Sequence, residues 1–212
     1  MEPISACENI CNDFSWVGPI SEWLRNIAIV VGVFVAWRQL DSWRREKIAI
    51  KRGDLCEELF AATSELAAKL AHIRSPFGYG PPEGETDDGT YDYKRRLDLV
   101  AELDDDYLRL RQLKIRQKAF VGDEALDAAI FEFFKARTEL LIALRGLIRA
   151  RRDSVSGRIP TERALERQNR YEAIMWEGAD FEGNDPIKQP IDEALVQIEE
   201  RTIPLIRLEL NK

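Results

Sequence analysis

The hydrophobic pattern divides the chain into a short polar tail, one continuous apolar segment and a long amphipathic remainder. Eleven apolar residues run without interruption from Ile27 to Trp37, and apolar character extends upstream to Trp16. A helix from Trp16 to Trp37 would rise about 32 Å, close to the roughly 30 Å of a bilayer's hydrocarbon core. Tryptophans at both ends, Trp16 and Trp23 before the run and Trp37 at its end, are typical of an interfacial belt, and Arg38 follows at once. The pattern therefore predicts a transmembrane helix over residues 16–38.

Two other structures remain open for this segment. An apolar run of this length also suits a buried core helix or a helix that lies on a membrane surface. A secretory signal peptide does not fit, because residues 1–15 contain no Lys or Arg and no small-residue cleavage site follows the run.

The distribution of basic residues predicts the orientation of the anchor. Up to Asn26 the single basic residue is Arg25, whereas six stand between Arg38 and Arg52. Since basic residues stay on the cytoplasmic side, we expect an extracytoplasmic tail over 1–15. A basic juxtamembrane helix over 39–53 and a cytoplasmic body over 54–212 would then follow. The expected location is the inner (plasma) membrane.

Small residues within the apolar segment suggest self-association. Ala28, Gly32 and Ala36 are spaced by four and share one helical face, which lets two helices approach closely in lipid. Arg25 lies near the same stripe and would sit better against partner helices than against lipid. We expect a homo-oligomer; the alternative is that small residues are simply common in membrane helices. Whether the helices form a pore stays open.

After the anchor, apolar residues recur with helical periodicity and no segment alternates as a strand would. The predicted fold is all-α: one N-terminal transmembrane helix followed by an antiparallel bundle of four to five helices. We expect the anchor helix to end near Gly53, where "GDLCEEL" resembles a helix restart with Asp54 as cap. The other predicted helices span 54–75, 93–120, 123–152, 161–178 and 187–210, and residues 76–92 form an exposed acidic loop.

The remaining chemistry is sparse. The net charge of −7 argues against a nucleic-acid partner. His72 is the single histidine, and no phosphate-binding loop, dinucleotide motif or metal motif is present, so we expect no enzyme, cofactor or metal. The candidate ligand site is a basic cluster for a phosphate group or an anionic headgroup. Its members are Arg145, Arg149 and Arg152, with Arg95 and Arg96 at the same end of the bundle.

The cysteines fall on both sides of the predicted anchor. Cys7 and Cys11 would lie in an oxidising compartment, where they form either a disulfide or two free thiols. Cys56 would be a reduced, half-buried helix residue in the cytoplasm.

These expectations lead to a non-enzymatic function. The first hypothesis is a membrane-anchored bundle that oligomerises and binds a protein partner or a phosphate-bearing ligand. Its sharper form is a membrane-perturbing effector of a bacterial antiviral or stress system. The alternative is a scaffold or accessory subunit of a larger membrane complex, with no output of its own.

Overall fold

The structure is a computed structural model that describes residues 17–84, 88–157, 159–178 and 184–207, with side chains from Trp23 onward. Over these residues the chain is all-α, as predicted. The helices are α1 (Val17–Ile73), α2 (Tyr91–Glu102), α3 (Asp104–Phe120), α4 (Glu124–Val155), α5 (Glu162–Met175) and α6 (Lys188–Ile206). The chain divides into two compact units, Met1–Ala49 and Ile50–Lys212.

In the first unit, α1 presents apolar side chains to solvent in every direction. From Trp23 to Ile48 every residue is exposed, including Val30 and Val33, which are about two-thirds exposed (67% and 66%). By length and composition the described Trp23–Ile73 portion of this helix is long and apolar enough to cross a membrane. None of its most apolar window is buried.

The second unit is a helical bundle arranged around α4. The helices α2, α3, α5 and α6 all pack against α4. The core is built from apolar side chains of all six helices, mostly leucine and isoleucine, with Leu59, Ile130, Phe133 and Ile198 completely buried. Burial of this shared apolar interior is what holds the bundle together.

The bundle has a near end, where the chain enters this unit, and a far end, where α1 finishes. At the near end, where the chain enters this unit, Arg52 Nε donates to the carbonyl of Phe120 at 2.7 Å. The end of α6 lies there too, because a Cβ built on Gly53 would be 3.3 Å from the Leu205 carbonyl oxygen. At the far end, α1 finishes beside the start of α6, where Arg74 pairs with Asp185.

Two helix boundaries differ from the sequence prediction. Gly53 does not break α1, which continues without interruption to Ile73; its missing side chain instead admits the end of α6. The predicted helix over 93–120 is two helices, because Leu103 leaves helical geometry (φ −81°, ψ 1°) between α2 and α3. Asp104 to Asp106 then form the first turn of α3, where carboxylates are favoured by the helix dipole.

Candidate functional site

The predicted arginine cluster lies at the far end of the bundle, on the last turns of α4. Arg145, Arg149 and Arg152 are all exposed there. Within the described part of the chain, none of the three forms an ion pair with a carboxylate. The cations also lie near the α4 C-terminus, where the helix dipole favours them without any ligand. Exposure and lack of partners leave their guanidinium groups available.

The other two predicted members do not join this set. Arg95 is half-buried, and its Nη1 donates to Glu102 at 3.1 Å. Arg96 is fully buried and donates to both oxygens of Asp92 (3.1 and 3.0 Å), to the carbonyl of Phe77 (2.9 Å) and to that of Ile73. Because its donors are already used inside the protein, we remove Arg96 from the candidate anion site.

Arg96 instead holds the loop that follows α1. Its guanidinium lies 4.5 Å from the ring centroid of Trp176 and 5.2 Å from that of Tyr79, both in cation–π geometry. The backbone N–H of Tyr79 donates to Asp92 at 2.7 Å. The first part of the acidic loop is therefore tied to the bundle, although Phe77 remains 83% exposed.

The structure adds three arginines of α5 that sequence reasoning missed, and it locates Arg151 at the end of α4. Arg163, Arg167 and Arg170 are exposed on α5, and the i, i+4 and i, i+3 spacings place them on neighbouring positions of one face. Arg151 lies against Gly89, since a Cβ built on that glycine would be 2.6 Å from its Nε. This contact places the start of α2 and the end of α4 at the same end of the bundle. The spacing on α5 was the signal that could have found the first three.

A cleft between α4 and α5 brings arginines of both helices together. Its volume is about 160 Å³, and Arg149 and Arg167 line it from opposite helices together with Asp153, Gln168 and Tyr171. The helices approach closely at Gly146, where a Cβ would fall 2.1 Å from Cε2 of the Tyr171 ring. The missing side chain at Gly146 leaves room for the Tyr171 ring, so the two helices pack closely at one wall of the cleft.

A buried ion pair, Arg74–Asp185, also lies at the far end of the bundle. Sequence reasoning missed it. Arg74 is 2% exposed, and its Nη2 donates to both carboxylate oxygens of Asp185 at 2.7 and 2.8 Å. Asp185 Oδ1 also accepts the backbone N–H groups of Ile187 (2.9 Å) and Lys188 (2.8 Å). Burial raises the pKa of Asp185, but these two N–H donors and the Arg74 guanidinium outweigh it and hold the pKa below its usual range.

The predicted membrane residues can be located only in part. Trp23 and Trp37 are 67% and 68% exposed, and Arg25 and Arg38 are exposed as well. The stripe of Ala28, Gly32 and Ala36 is fully open, with no atom within 4 Å of a Cβ built on Gly32. Trp16 and the candidate disulfide residues Cys7 and Cys11 lie outside the described residues.

Groups that could support catalysis or bind a metal are few. No cluster of three or more His, Cys, Asp or Glu side chains suitable for a metal occurs among the described residues. His72 is exposed, and its Nε2 lies 3.4 Å from the Tyr79 hydroxyl. Cys56 is completely buried rather than half-buried, and burial raises the pKa of its thiol to about 11. A thiol with this pKa is a poor nucleophile at neutral pH.

Comparison with protein families, with curated proteins and with solved structures finds no match for this chain.

Proposed function

We propose that this chain is a single-pass inner-membrane protein whose cytoplasmic helical bundle oligomerises and binds a partner or ligand. The observation that carries the proposal is the apolar surface of α1, which is exposed around its whole circumference between Trp23 and Trp37. A helix that packs on a soluble core has one apolar stripe. An exposed apolar surface on all sides calls for lipid or other helices as its surroundings.

The residues at the end of the apolar segment support a membrane boundary there. Asp41 pairs with Arg45 at 2.9 Å, and the Lys47 ammonium lies 4.9 Å from the Trp43 ring centroid. Paired charges and a tryptophan with a nearby cation suit the headgroup region. The six basic residues from Arg38 to Arg52 support a cytoplasmic location for this end.

Self-association follows from the open stripe of Ala28, Gly32 and Ala36 on the same segment. A ligand or partner bound to the bundle would bring anchors together, and clustered anchors would perturb the membrane. In this version of the proposal the protein is an effector that perturbs the membrane.

Membrane insertion is tested by alkaline carbonate extraction of membranes that contain the full-length protein. We expect the wild type to stay in the pellet. The double variant Val30→Arg/Val33→Arg should move to the supernatant, because each central arginine costs roughly 2.5–3.5 kcal/mol on insertion. The matched control is Ile115→Arg, which adds a charge at an exposed position of α3 and should stay in the pellet. Extraction of the wild type would contradict the anchor.

Orientation is tested with a membrane-impermeant maleimide on intact, mildly reduced cells. We expect labelling of Cys7 and Cys11 and none in the variant Cys7→Ser/Cys11→Ser. Cys56 serves as an internal control, because it is buried and should remain unlabelled. Labelling that requires cell lysis would place the tail inside and reverse the proposed topology.

The variant Gly32→Leu distinguishes an effector from a scaffold. The control is Val33→Leu, which also introduces leucine but lies outside the stripe of Ala28, Gly32 and Ala36. Expression of the wild type should depolarise cells and give a defined oligomer in mild detergent. Gly32→Leu should abolish both effects, and Val33→Leu should keep them. A wild type that is harmless, or a Gly32→Leu variant that behaves like it, would favour the scaffold.

A further inference from the structure

We propose that the cleft between α4 and α5 binds a phosphoryl group, which Arg149 and Arg167 clamp from opposite sides. The inference rests on the ligand-binding part of the proposed function and names the chemistry that the bundle would bind. It does not depend on the membrane anchor. The phosphoryl group could belong to a soluble phosphorylated compound or to a lipid headgroup, and the experiment below separates these sources.

The first argument is the charge of this end of the bundle. Residues 145–170 contain eight arginines, no lysine and three acidic residues, a local net charge of +5 in a chain whose total is −7. Arginine without lysine is typical of sites for planar, bidentate recognition of phosphate, because the guanidinium presents its donors as a fork.

The second argument is the contrast with arginines elsewhere in the bundle. Arg109 and Arg116 both donate to Glu58, at 3.3 and 3.0 Å, and Arg201 donates to Asp123 at 2.8 Å. In the described part of the chain, Arg149 and Arg167 have no such partner. Two cations on adjacent helices are thus left without an ion-pair partner, and an external anion would relieve the repulsion between them.

The third argument is the size and lining of the cleft. A volume of about 160 Å³ holds roughly five waters at about 30 Å³ each. Pockets for whole drug-sized ligands are about 300–1,000 Å³, so the cleft suits one charged group rather than a complete ligand.

The carboxylates around the cleft do not cancel its charge. Asp153 lines the cleft but already has an interaction partner of its own. Glu172 accepts a hydrogen bond from Gln168 at 2.9 Å, which turns its carboxylate toward that amide.

The test is isothermal titration of full-length protein in uncharged maltoside micelles, with pyrophosphate as probe. We expect saturable binding that weakens as salt rises. Arg149→Gln and Arg167→Gln should each weaken binding about tenfold or more, since each removes charge-assisted donors. The matched control, Arg111→Gln on exposed α3, should bind like the wild type. Gly146→Ala, which forces the Tyr171 ring to move, should weaken binding without any change of charge.

A second arm identifies the source of the phosphoryl group. The protein in zwitterionic nanodiscs is mixed with vesicles of phosphatidylcholine with or without phosphatidic acid, and co-flotation is measured. Binding of phosphatidic acid vesicles that Arg149→Gln abolishes assigns a lipid headgroup, whereas binding of pyrophosphate alone assigns a soluble ligand. Absence of both, or equal loss in Arg111→Gln, would overturn the proposal. Carbonate extraction reads the anchor separately, so failure here leaves the membrane assignment intact.

Discussion

Removing Asp185 tests how the far end of the bundle is held. The Asp185→Ala variant leaves the Arg74 guanidinium 2% exposed and without its carboxylate, and breaking such a buried pair costs about 3–5 kcal/mol. The same change removes the acceptor of two backbone N–H groups at the start of α6, a loss of about 0.5–2 kcal/mol. We therefore expect the free energy of unfolding to fall by about 5 kcal/mol.

A double-mutant cycle separates the Arg74–Asp185 ion pair from the hydrogen bonds that Asp185 accepts from the backbone. Arg74→Met alone should cost about 3 kcal/mol, because Asp185 keeps its backbone donors. The double variant should cost about 5 kcal/mol rather than the roughly 8 kcal/mol of the sum, since no charge is then left buried without a partner. The coupling energy is thus about 3 kcal/mol, at the top of the range for residues in contact.

The assay is urea unfolding of the full chain in mild detergent, followed by circular dichroism at 222 nm. Asp185→Asn, which keeps an acceptor, guards against a variant that fails to fold and should cost about 2 kcal/mol. The control is Arg116→Ala, which breaks an exposed pair with Glu58 and should cost less than about 1 kcal/mol. Single losses that add within about 0.5 kcal/mol would refute the argument, because additivity means that the two side chains do not act as a pair.

Further predictions concern acid, thiol reactivity and packing. Because the pKa of Asp185 is lowered in the folded state, its carboxylate stabilises the fold above the unfolded value of about 3.9. This contribution should be lost as the pH falls through the lower folded value, so the stability gap between wild type and Asp185→Ala should narrow below about pH 4. Cys56, with its pKa of about 11, should resist N-ethylmaleimide at pH 7.5 in the native protein and react at once in denaturant; reaction in the native state would show that α1 opens locally. Gly146→Ala should destabilise the bundle by about 1–3 kcal/mol through overpacking on Tyr171, measurable as a lower urea midpoint, while Ala150→Gly nearby should cost only about 1 kcal/mol.

The positions of the helices follow from sequence because periodicity and caps are local signals. The start of α4 was predicted at Asp123, and its carboxylate indeed accepts from Ala125 and Leu126 at 2.9 and 3.2 Å. The apolar faces of α1, α4 and α6 were predicted and form the core. These features need only neighbours a few residues away in sequence, and the pattern of apolar residues records them directly.

Other features of the fold were not predicted, mostly because they depend on contacts between residues far apart in sequence. Gly53 resembles a helix break until the end of α6, about 150 residues later, is seen to need its space. Asp106, at the start of α3, pairs with Lys69 of α1 at 2.8 Å, a contact between residues 37 positions apart that no local pattern indicates. A break at Leu103 between two helices leaves no proline or glycine in the sequence to mark it.

The arginines show why composition can locate a basic region but not assign its members. Arg95, Arg96 and Arg149 are alike in sequence, yet one forms a surface pair, one is buried with every donor oriented inward, and one is unpaired. The interactions of each arginine depend on which carbonyl and carboxylate oxygens the fold brings within about 3 Å of its guanidinium group. The number of arginines alone therefore does not indicate that the bundle binds a ligand. A ligand is favoured because Arg149 of α4 and Arg167 of α5 line a shared cleft without an ion-pair partner in the described part of the chain. Substituting one arginine inside the cleft and one outside it measures that difference.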